Sequence, residues 1–266
     1  MIEEIEALLK DLTARYPDRR LHIFDVKVES GEGQWVALAG RVLEEANLQT
    51  LRHAVQERLP GLELDDSGVT VLRKTNPLML TVATNLTSLH VEPSWLSEML
   101  SQSTYNTLLE VLEEQGRWVR VRHTSGYLGW MYRPYLSEHP AAHPNYLVKA
   151  TIAALHTDPS CDSPLTSRLV GGTGVQLVST RGEWAEVDAH VWGWVKMNEL
   201  RSIDSLPRAT ELIRAQIVRD APRWMGVPYL WGGTTAHGID CSGFAQLIFR
   251  LAGITLPRDA DMQYDA

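Results

Sequence analysis

The stretch GIDCSGFAQLIFRLAG, residues 238–253, decides how the C-terminal part of the chain folds. Its apolar residues recur at helical spacing, at Phe244, Leu247, Ile248 and Leu251. This periodicity predicts a helix with one buried face. Asp240 is a residue type favoured at the N-cap, and Gly253 is a type favoured just past a helix C-terminus. The pattern therefore places Cys241 in the first turn of a helix that ends before Gly253.

Cys241 has two interpretations at this position. A thiol attacks as its thiolate, and the unpaired N–H groups and dipole at a helix N-terminus favour that negative charge. A cysteine on the same stripe as Phe244 and Ile248 can equally serve as a small buried hydrophobe. Asp240 does not favour activation, because a neighbouring carboxylate disfavours the thiolate. It suits the binding of a cation, such as a substrate ammonium group.

Composition excludes several classes of function. The chain has 266 residues and a formal net charge of −8, which argues against a nucleic-acid or anionic-membrane partner. No stretch approaches the roughly 20 apolar residues of a membrane-spanning helix. Two cysteines, without a Cys/His cluster at metal-ligand spacing, predict neither a disulfide framework nor a metal or other cofactor.

The N-terminal segment MIEEIEALLKDL is acidic and amphipathic, unlike a secretory signal peptide. We therefore expect a cytoplasmic protein, with secretion or a cell-wall location as the alternative if the N-terminus is incomplete. Residues 1–75 predict a helix, two strands, a helix and a strand, which form a small α+β domain. This order weakly resembles BON-type domains. Because a helix follows the segment GEGQWVAL, the segment does not predict a further barrel.

The middle of the chain contains a repeat. GRWVRVRHTSGYLGWM (116–131) aligns with GEWAEVDAHVWGWV (182–195), and both contain Gly-x-Trp-x-x-Val followed by Gly-Trp. Short strands with tight turns at this density predict small barrels. The pattern resembles bacterial SH3-like (SH3b) domains at residues 80–140 and 145–202. We expect the four repeated tryptophans to lie in the core or rim of each barrel.

The C-terminal segment resembles a known family. GVPYLWGGTTAHGIDCSGF (226–244) followed by LPRDADMQ (256–263) is similar to the NlpC/p60 family of papain-like cysteine peptidases, over residues 208–266. The resemblance implies the N-terminal half of a papain-like α+β domain, with Cys241 as the nucleophile. It also implies a peptidoglycan stem peptide as substrate, cut between γ-linked D-Glu and the diamino acid. The whole chain is thus predicted to be multidomain α+β.

Family members that carry SH3b domains resemble γ-D-glutamyl-L-diamino acid endopeptidases of murein recycling, which require a free N-terminal L-Ala. This resemblance implies that Asp240 holds the ammonium group, with Ser242 and Tyr229 beside it. It also implies an acid and a tyrosine from the first barrel, for which Glu92 and Tyr127 are the candidates. The loop between the paired tryptophans spans 12 residues in the first copy and 10 in the second, so Tyr127 is expected to reach outward. Glu92 as a solvated surface acid and Tyr127 as a loop cap remain alternatives.

A papain-like mechanism also needs a histidine that accepts the thiol proton. The family's histidine lies downstream of the cysteine, and no histidine occurs in the 25 residues from Cys241 to Ala266. His237 lies four residues upstream and does not match the family's base. We therefore expect little peptidase activity from the 266-residue chain.

Two further expectations concern the C-terminal segment. The stripe Phe244/Ile248/Leu251 should be partly uncovered, and should promote self-association, unless the second barrel or a partner covers it. Arg258 and Asp259 are expected to form at most a structural ion pair. Two other functions remain open: a non-catalytic SH3b module that binds cell-wall peptide, and a papain-like amidase or acyltransferase.

Overall fold

The computed structural model describes residues 2–266 and shows a mixed α+β fold. The chain divides into two compact units. The first unit comprises the residues up to Leu78 together with Gly126–Leu128, and the second comprises Met79–Ser125 together with Gly129–Ala266. The predicted α+β class is confirmed.

The first unit contains the predicted order of elements, which is confirmed. The elements are α1 (Ile2–Thr13), β1 (Phe24–Glu32), β2 (Trp35–Val42), α2 (Glu45–Arg58) and β3 (Glu63–Val71). β1 and β2 form an antiparallel hairpin, and β3 pairs with β2 in parallel. A parallel neighbour requires a crossover connection, which α2 supplies. The segment 31–38 is thus part of this three-stranded sheet and not of a further barrel.

The first repeat is a seven-stranded sheet. Its strands are β4 (Met79–Val82), β5 (Leu86–His90), β6 (Met99–Thr104), β7 (Leu108–Gln115), β8 (Trp118–His123), β9 (Leu128–Tyr132) and β10 (Leu136–Ser137). They are hydrogen-bonded in the order β10-β4-β7-β8-β9-β5-β6. Gly116 forms the turn between β7 and β8 at a φ of 61°, a conformation that glycine adopts at little cost.

The second repeat has the same topology. Its strands are β11 (Tyr146–Val148), β12 (Ile152–His156), β13 (Leu165–Val170), β14 (Gly174–Arg181), β15 (Trp184–Asp188), β16 (Trp192–Lys196) and β17 (Leu200–Ser202). Their order, read from the last strand, is β17-β11-β14-β15-β16-β12-β13. Trp118, Trp130 and Trp184 are buried and Trp194 is partly buried, so the prediction for the repeated tryptophans is confirmed.

The C-terminal segment contains three helices and a two-stranded ladder. These are α3 (Thr210–Asp220), β18 (Thr234–Thr235), β19 (Gly238–Ile239), α4 (Cys241–Leu251) and α5 (Ala260–Tyr264). A 3₁₀ turn, Ala221–Trp224, follows α3. Gly253 has a φ of 89° just beyond α4, which confirms the predicted C-terminal end of that helix.

The second repeat covers the apolar face of α4. Ile248 and Leu251 are buried in one cluster with Leu147 of β11, and Ile203 and Leu206 pack against the same cluster. The second barrel therefore covers Ile248 and Leu251, as the sequence analysis allowed. Phe244, the third residue of the stripe, is partly buried against this cluster, and self-association stays a prediction.

A buried ion pair joins the second repeat to α3. Arg201 of β17 donates two hydrogen bonds to Asp220, at 2.6 and 3.0 Å. The same guanidinium donates to the carbonyl of Leu251 at 2.6 Å. Burial acts to raise the pKa of Asp220, but hydrogen bonds from Arg201 and Gln216 outweigh it, so this pKa lies below its usual value.

Candidate active site

Cys241 is the first residue of α4 and is exposed as a free thiol. Asp240 has the extended backbone of an N-cap, and its Oδ1 accepts a hydrogen bond from the Gly243 N–H at 2.6 Å. The interpretation of Cys241 as a small buried core residue is therefore wrong. The thiol is exposed because Ser242 and Gly243, and not the cysteine, form the buried side of the first turn of α4.

A glycine pair packs against this helix start. The Gly232 N–H donates to Asp240 Oδ2 at 2.9 Å, and the Gly233 carbonyl accepts from the Asp240 N–H at 3.1 Å. A Cβ atom at Gly243 would lie 2.2 Å from the Gly233 carbonyl oxygen. This distance excludes a side chain at position 243, and the 2.4 Å between a Cβ at Gly233 and the Gly238 carbonyl oxygen excludes one at position 233.

Arg258 binds the carboxylate of Asp240 with two nitrogens. Its Nη2 lies 2.7 Å from Oδ2 and its Nη1 lies 3.2 Å from Oδ1. Arg258 is 4% exposed and Asp240 is 7% exposed. Burial acts to raise the pKa of Asp240, but the hydrogen bond from Arg258, the Gly243 N–H and the guanidinium charge outweigh it, so this pKa is lowered.

The Asp240 carboxylate is thus occupied before any substrate arrives. It accepts five hydrogen bonds, from the Arg258 nitrogens, the Gly232 and Gly243 N–H groups and the Ser242 hydroxyl. A carboxylate offers about four lone-pair sites. The cation that Asp240 binds in the structure is Arg258, whereas the sequence assigned Arg258 no part in the site.

Strand β6 of the first repeat supports the same site. Ser101 accepts a hydrogen bond from Arg258 Nε at 2.9 Å, and Gln102 accepts one from the Thr234 N–H at 3.0 Å. Glu98, just before the strand, accepts one from the Trp231 indole at 2.8 Å. Sequence reasoning missed these residues, because the segment before and along β6 carries no motif.

Ser242 lies two residues after Asp240 in the chain, and Tyr229 pairs with Ile239, the residue before Asp240. Ser242 is buried, donates to Asp240 Oδ1 at 3.2 Å and accepts from Arg258 Nη1 at 2.9 Å. Tyr229 is 67% exposed and forms an isolated bridge with Ile239. Their predicted contacts with a substrate stay predictions.

The two candidates from the first barrel are placed differently. Glu92 is exposed, its N–H donates to Ser97 at 2.9 Å, and no described residue pairs with its carboxylate. Tyr127 is 4% exposed and belongs to the first compact unit. Its side chain is therefore buried, contrary to the expectation that the longer loop lets it reach outward. The predicted roles of both residues in substrate binding stay predictions.

The described residues were also searched for a histidine base at Cys241 and for a metal site. Among residues 2–266, no histidine ring is hydrogen-bonded to the Cys241 thiol, and the His237 N–H donates to Thr235 at 3.3 Å in the turn between β18 and β19. Over the same range, no cluster of three or more His, Cys, Asp or Glu residues could hold a metal ion. No helix of the described chain is long and apolar enough to cross a membrane.

Family models match two parts of the chain. Residues 226–266 match the NlpC/P60 family. Residues 85–137 match the bacterial SH3 domain. The NlpC/P60 segment contains Asp240, Cys241 and Arg258, and the SH3 segment contains the strand that supplies Ser101 and Gln102.

Curated relatives match over a larger part of the chain. A γ-D-glutamyl-L-lysine dipeptidyl-peptidase of Bacillus cereus is 28% identical over 210 residues, which cover 71% of this chain and 62% of the relative. The protein of the same name from Bacillus subtilis is 29% identical over 177 residues, which cover 62% of this chain and 57% of the relative. The chain therefore spans about three fifths of these two relatives.

A solved structure supports the fold. The crystal structure of an NlpC/P60 family protein from Bacillus cereus superposes with a TM-score of 0.62 at 21% identity, and covers 71% of this chain and 77% of that one. At this identity the similarity establishes the arrangement of the backbone.

Proposed function

We propose that this protein is a cysteine endopeptidase that hydrolyses peptidoglycan stem peptides at the bond between γ-linked D-Glu and the diamino acid, in the turnover or recycling of cell-wall peptides. The observation that carries the proposal is the exposed Cys241 thiol at the first position of α4, within the segment that matches NlpC/P60. The names of the two Bacillus relatives support this substrate class.

The chemistry begins with attack of the Cys241 sulfur on the carbonyl carbon of the D-Glu side chain. The C–N bond breaks, the amine of the diamino acid leaves with the proton that the thiol gave up, and an acyl thioester remains on sulfur. Water then hydrolyses the thioester and restores the thiol. The first N–H groups of α4 and its dipole favour the thiolate that starts the sequence.

Recognition of a free N-terminal amine is part of the proposal. Glu92 has an exposed carboxylate without a partner among the described residues, which suits an ammonium group. Asp240 stays in the proposed set as the residue next to the nucleophile, but its carboxylate already accepts five hydrogen bonds, so Glu92 is the acid that we propose to bind the ammonium group. We propose that Ser242 and Tyr229 complete the substrate-binding set.

Mass spectrometry of the tripeptide L-Ala-γ-D-Glu-L-Lys tests this function. The enzyme is a full-length parent in which a histidine base follows Cys241, since we expect little peptidase activity from residues 1–266 by themselves. We expect release of L-Ala-D-Glu, loss of that release in Cys241→Ala, and at least tenfold slower cleavage of the N-acetylated peptide, because loss of one charge-assisted contact costs about 1.5–3 kcal/mol. Cleavage that survives Cys241→Ala, or equal cleavage of both peptides, contradicts the mechanism.

A second candidate function is a non-catalytic module that binds cell-wall peptide. It is favoured by one observation: no described histidine ring contacts the Cys241 thiol. Calorimetry with the same two peptides distinguishes the candidates. Binding without turnover, equal in the wild type and Cys241→Ala, supports the module and contradicts the peptidase.

A further inference from the structure

A buried ion pair lies next to the nucleophile, and the proposed mechanism leaves Arg258, its cation, unused. Asp240 precedes Cys241, and a bare carboxylate there would oppose formation of the thiolate. Both members of the pair are nearly inaccessible, at 4% exposure for Arg258 and 7% for Asp240. Interactions between charges are screened little in such surroundings. The net charge of this pair therefore bears directly on the reactivity of the thiol.

We propose that Arg258 is a positioning residue that cancels the charge of Asp240 and so keeps the Cys241 thiol reactive. Asp240 can then serve as the N-cap of α4 without opposing the thiolate. The proposal rests on the proposed function only in taking Cys241 as the nucleophile, and its test needs no turnover.

The contacts of Arg258 extend this role to the first repeat. Its two Nη atoms bind Asp240 and Ser242, and its Nε donates to Ser101 of β6 at 2.9 Å. These contacts use all three nitrogens, so the guanidinium plane is fixed by α4 on one side and by β6 on the other. The first repeat thereby helps to hold Arg258, whose positive charge compensates the negative charge of Asp240.

Other charged or titratable groups surround this end of α4. They are Glu98, which binds the Trp231 indole; His237, in the turn between β18 and β19; and Asp259 and Asp261, at the start of α5. α5 is joined to α4 by a hydrogen bond from Gln263 to the Ser242 carbonyl at 3.0 Å. Three of these four groups are acids, and none of the four supplies a permanent positive charge in place of Arg258.

The test measures alkylation of Cys241 by iodoacetamide at pH 7, resolved by peptide mass spectrometry, in the intact chain. Cys161, a free and exposed thiol of the second repeat, is an internal control in every sample. We expect Arg258→Gln to slow alkylation of Cys241 about fivefold, as one unpaired charge at several ångströms would do in a partly solvated site, with no change at Cys161.

Removal of the carboxylate should reverse the effect. Asp240→Asn keeps an oxygen that caps the helix, so we expect alkylation no slower than in the wild type. Arg258→Gln in the Asp240→Asn background should return to within about twofold of the wild type, because both charges are then absent. Arg258→Lys loses the bidentate geometry but keeps the positive charge beside Asp240, so alkylation should also stay within about twofold of the wild type.

The proposal is overturned if Arg258→Gln leaves the rate at Cys241 unchanged, or slows it equally in the Asp240→Asn background. A fivefold loss in folded Arg258→Lys also overturns it. If Arg258→Gln unfolds, shown by far-UV circular dichroism, the Arg258→Lys and Asp240→Asn rates decide. Normal alkylation of the chain, together with no peptide cleavage by the full-length parent, would refute the proposed function and leave this inference standing.

Discussion

Replacement of Arg201 by methionine should destabilise the contact between the second repeat and α3. The substitution removes both hydrogen bonds to Asp220 and leaves that carboxylate, 1% exposed, without its main partner. Breaking a buried ion pair by removing one member costs about 3–5 kcal/mol. Gln216 still donates to Asp220 at 2.9 Å, so we expect a cost of about 3 kcal/mol.

The cost should depend on pH in a defined direction. In the wild type the pKa of Asp220 is lowered, so its stabilising contribution is present above the unfolded pKa and is lost as the pH falls through the folded pKa. In the variant burial acts without the main compensating cation, and the carboxyl becomes neutral at a higher pH. The difference in unfolding free energy between the two proteins should therefore be largest near neutral pH and should shrink below about pH 4.

Hydrogen exchange measured by mass spectrometry suits this prediction, since a chain of several units need not unfold in one step. We expect faster exchange in Thr210–Asp220 and near Leu251. Arg214→Met is the matched control, because its pair with Glu211 is 70% and 82% exposed and should matter by less than about 1 kcal/mol. Equal effects of the two substitutions, or a difference that grows in acid, would refute the reasoning.

Three glycine substitutions, of which Gly116→Ala is a control, complete the predictions. Gly232→Ala would place Cβ 2.4 Å from the Met99 carbonyl oxygen at a φ of 76°, whereas a Cβ at Gly116, where φ is 61°, has nothing within 4 Å. Both substitutions should cost about 1–2 kcal/mol in backbone strain. Only Gly232→Ala should also slow alkylation of Cys241. Gly171→Ala would place Cβ 2.4 Å from the Trp224 ring and should cost about 1–3 kcal/mol. Urea denaturation should show a smaller cost in the Trp224→Phe background, and an unchanged cost would disprove the clash.

The elements that sequence predicted well are those specified by neighbouring residues. α4 begins after Asp240 and ends before Gly253 because both caps act within one turn of the helix. The two repeats were visible because each needs a turn glycine, at Gly116 and Gly182, two positions before a buried tryptophan.

The supporting shell of the site was not predictable in the same way. Ser101 and Arg258 are 157 positions apart in the chain. A partly buried serine in a short strand gives no signal of a partner so distant. Tyr127 shows the reverse case: the longer loop suggested exposure, but the side chain is buried by contacts that loop length does not encode.

Sequence alone thus determined the α+β class, the repeat, the helix that begins at Cys241 and the exclusion of a membrane-spanning helix. Only the tertiary structure decided that the second repeat covers the apolar face of α4 and that Arg258 forms an ion pair with the Asp240 carboxylate. The physical reason is range. Caps and periodicity act over a few residues, whereas the partner of a buried carboxylate or an apolar face is selected by the need to compensate burial, from any part of the chain that packing brings near.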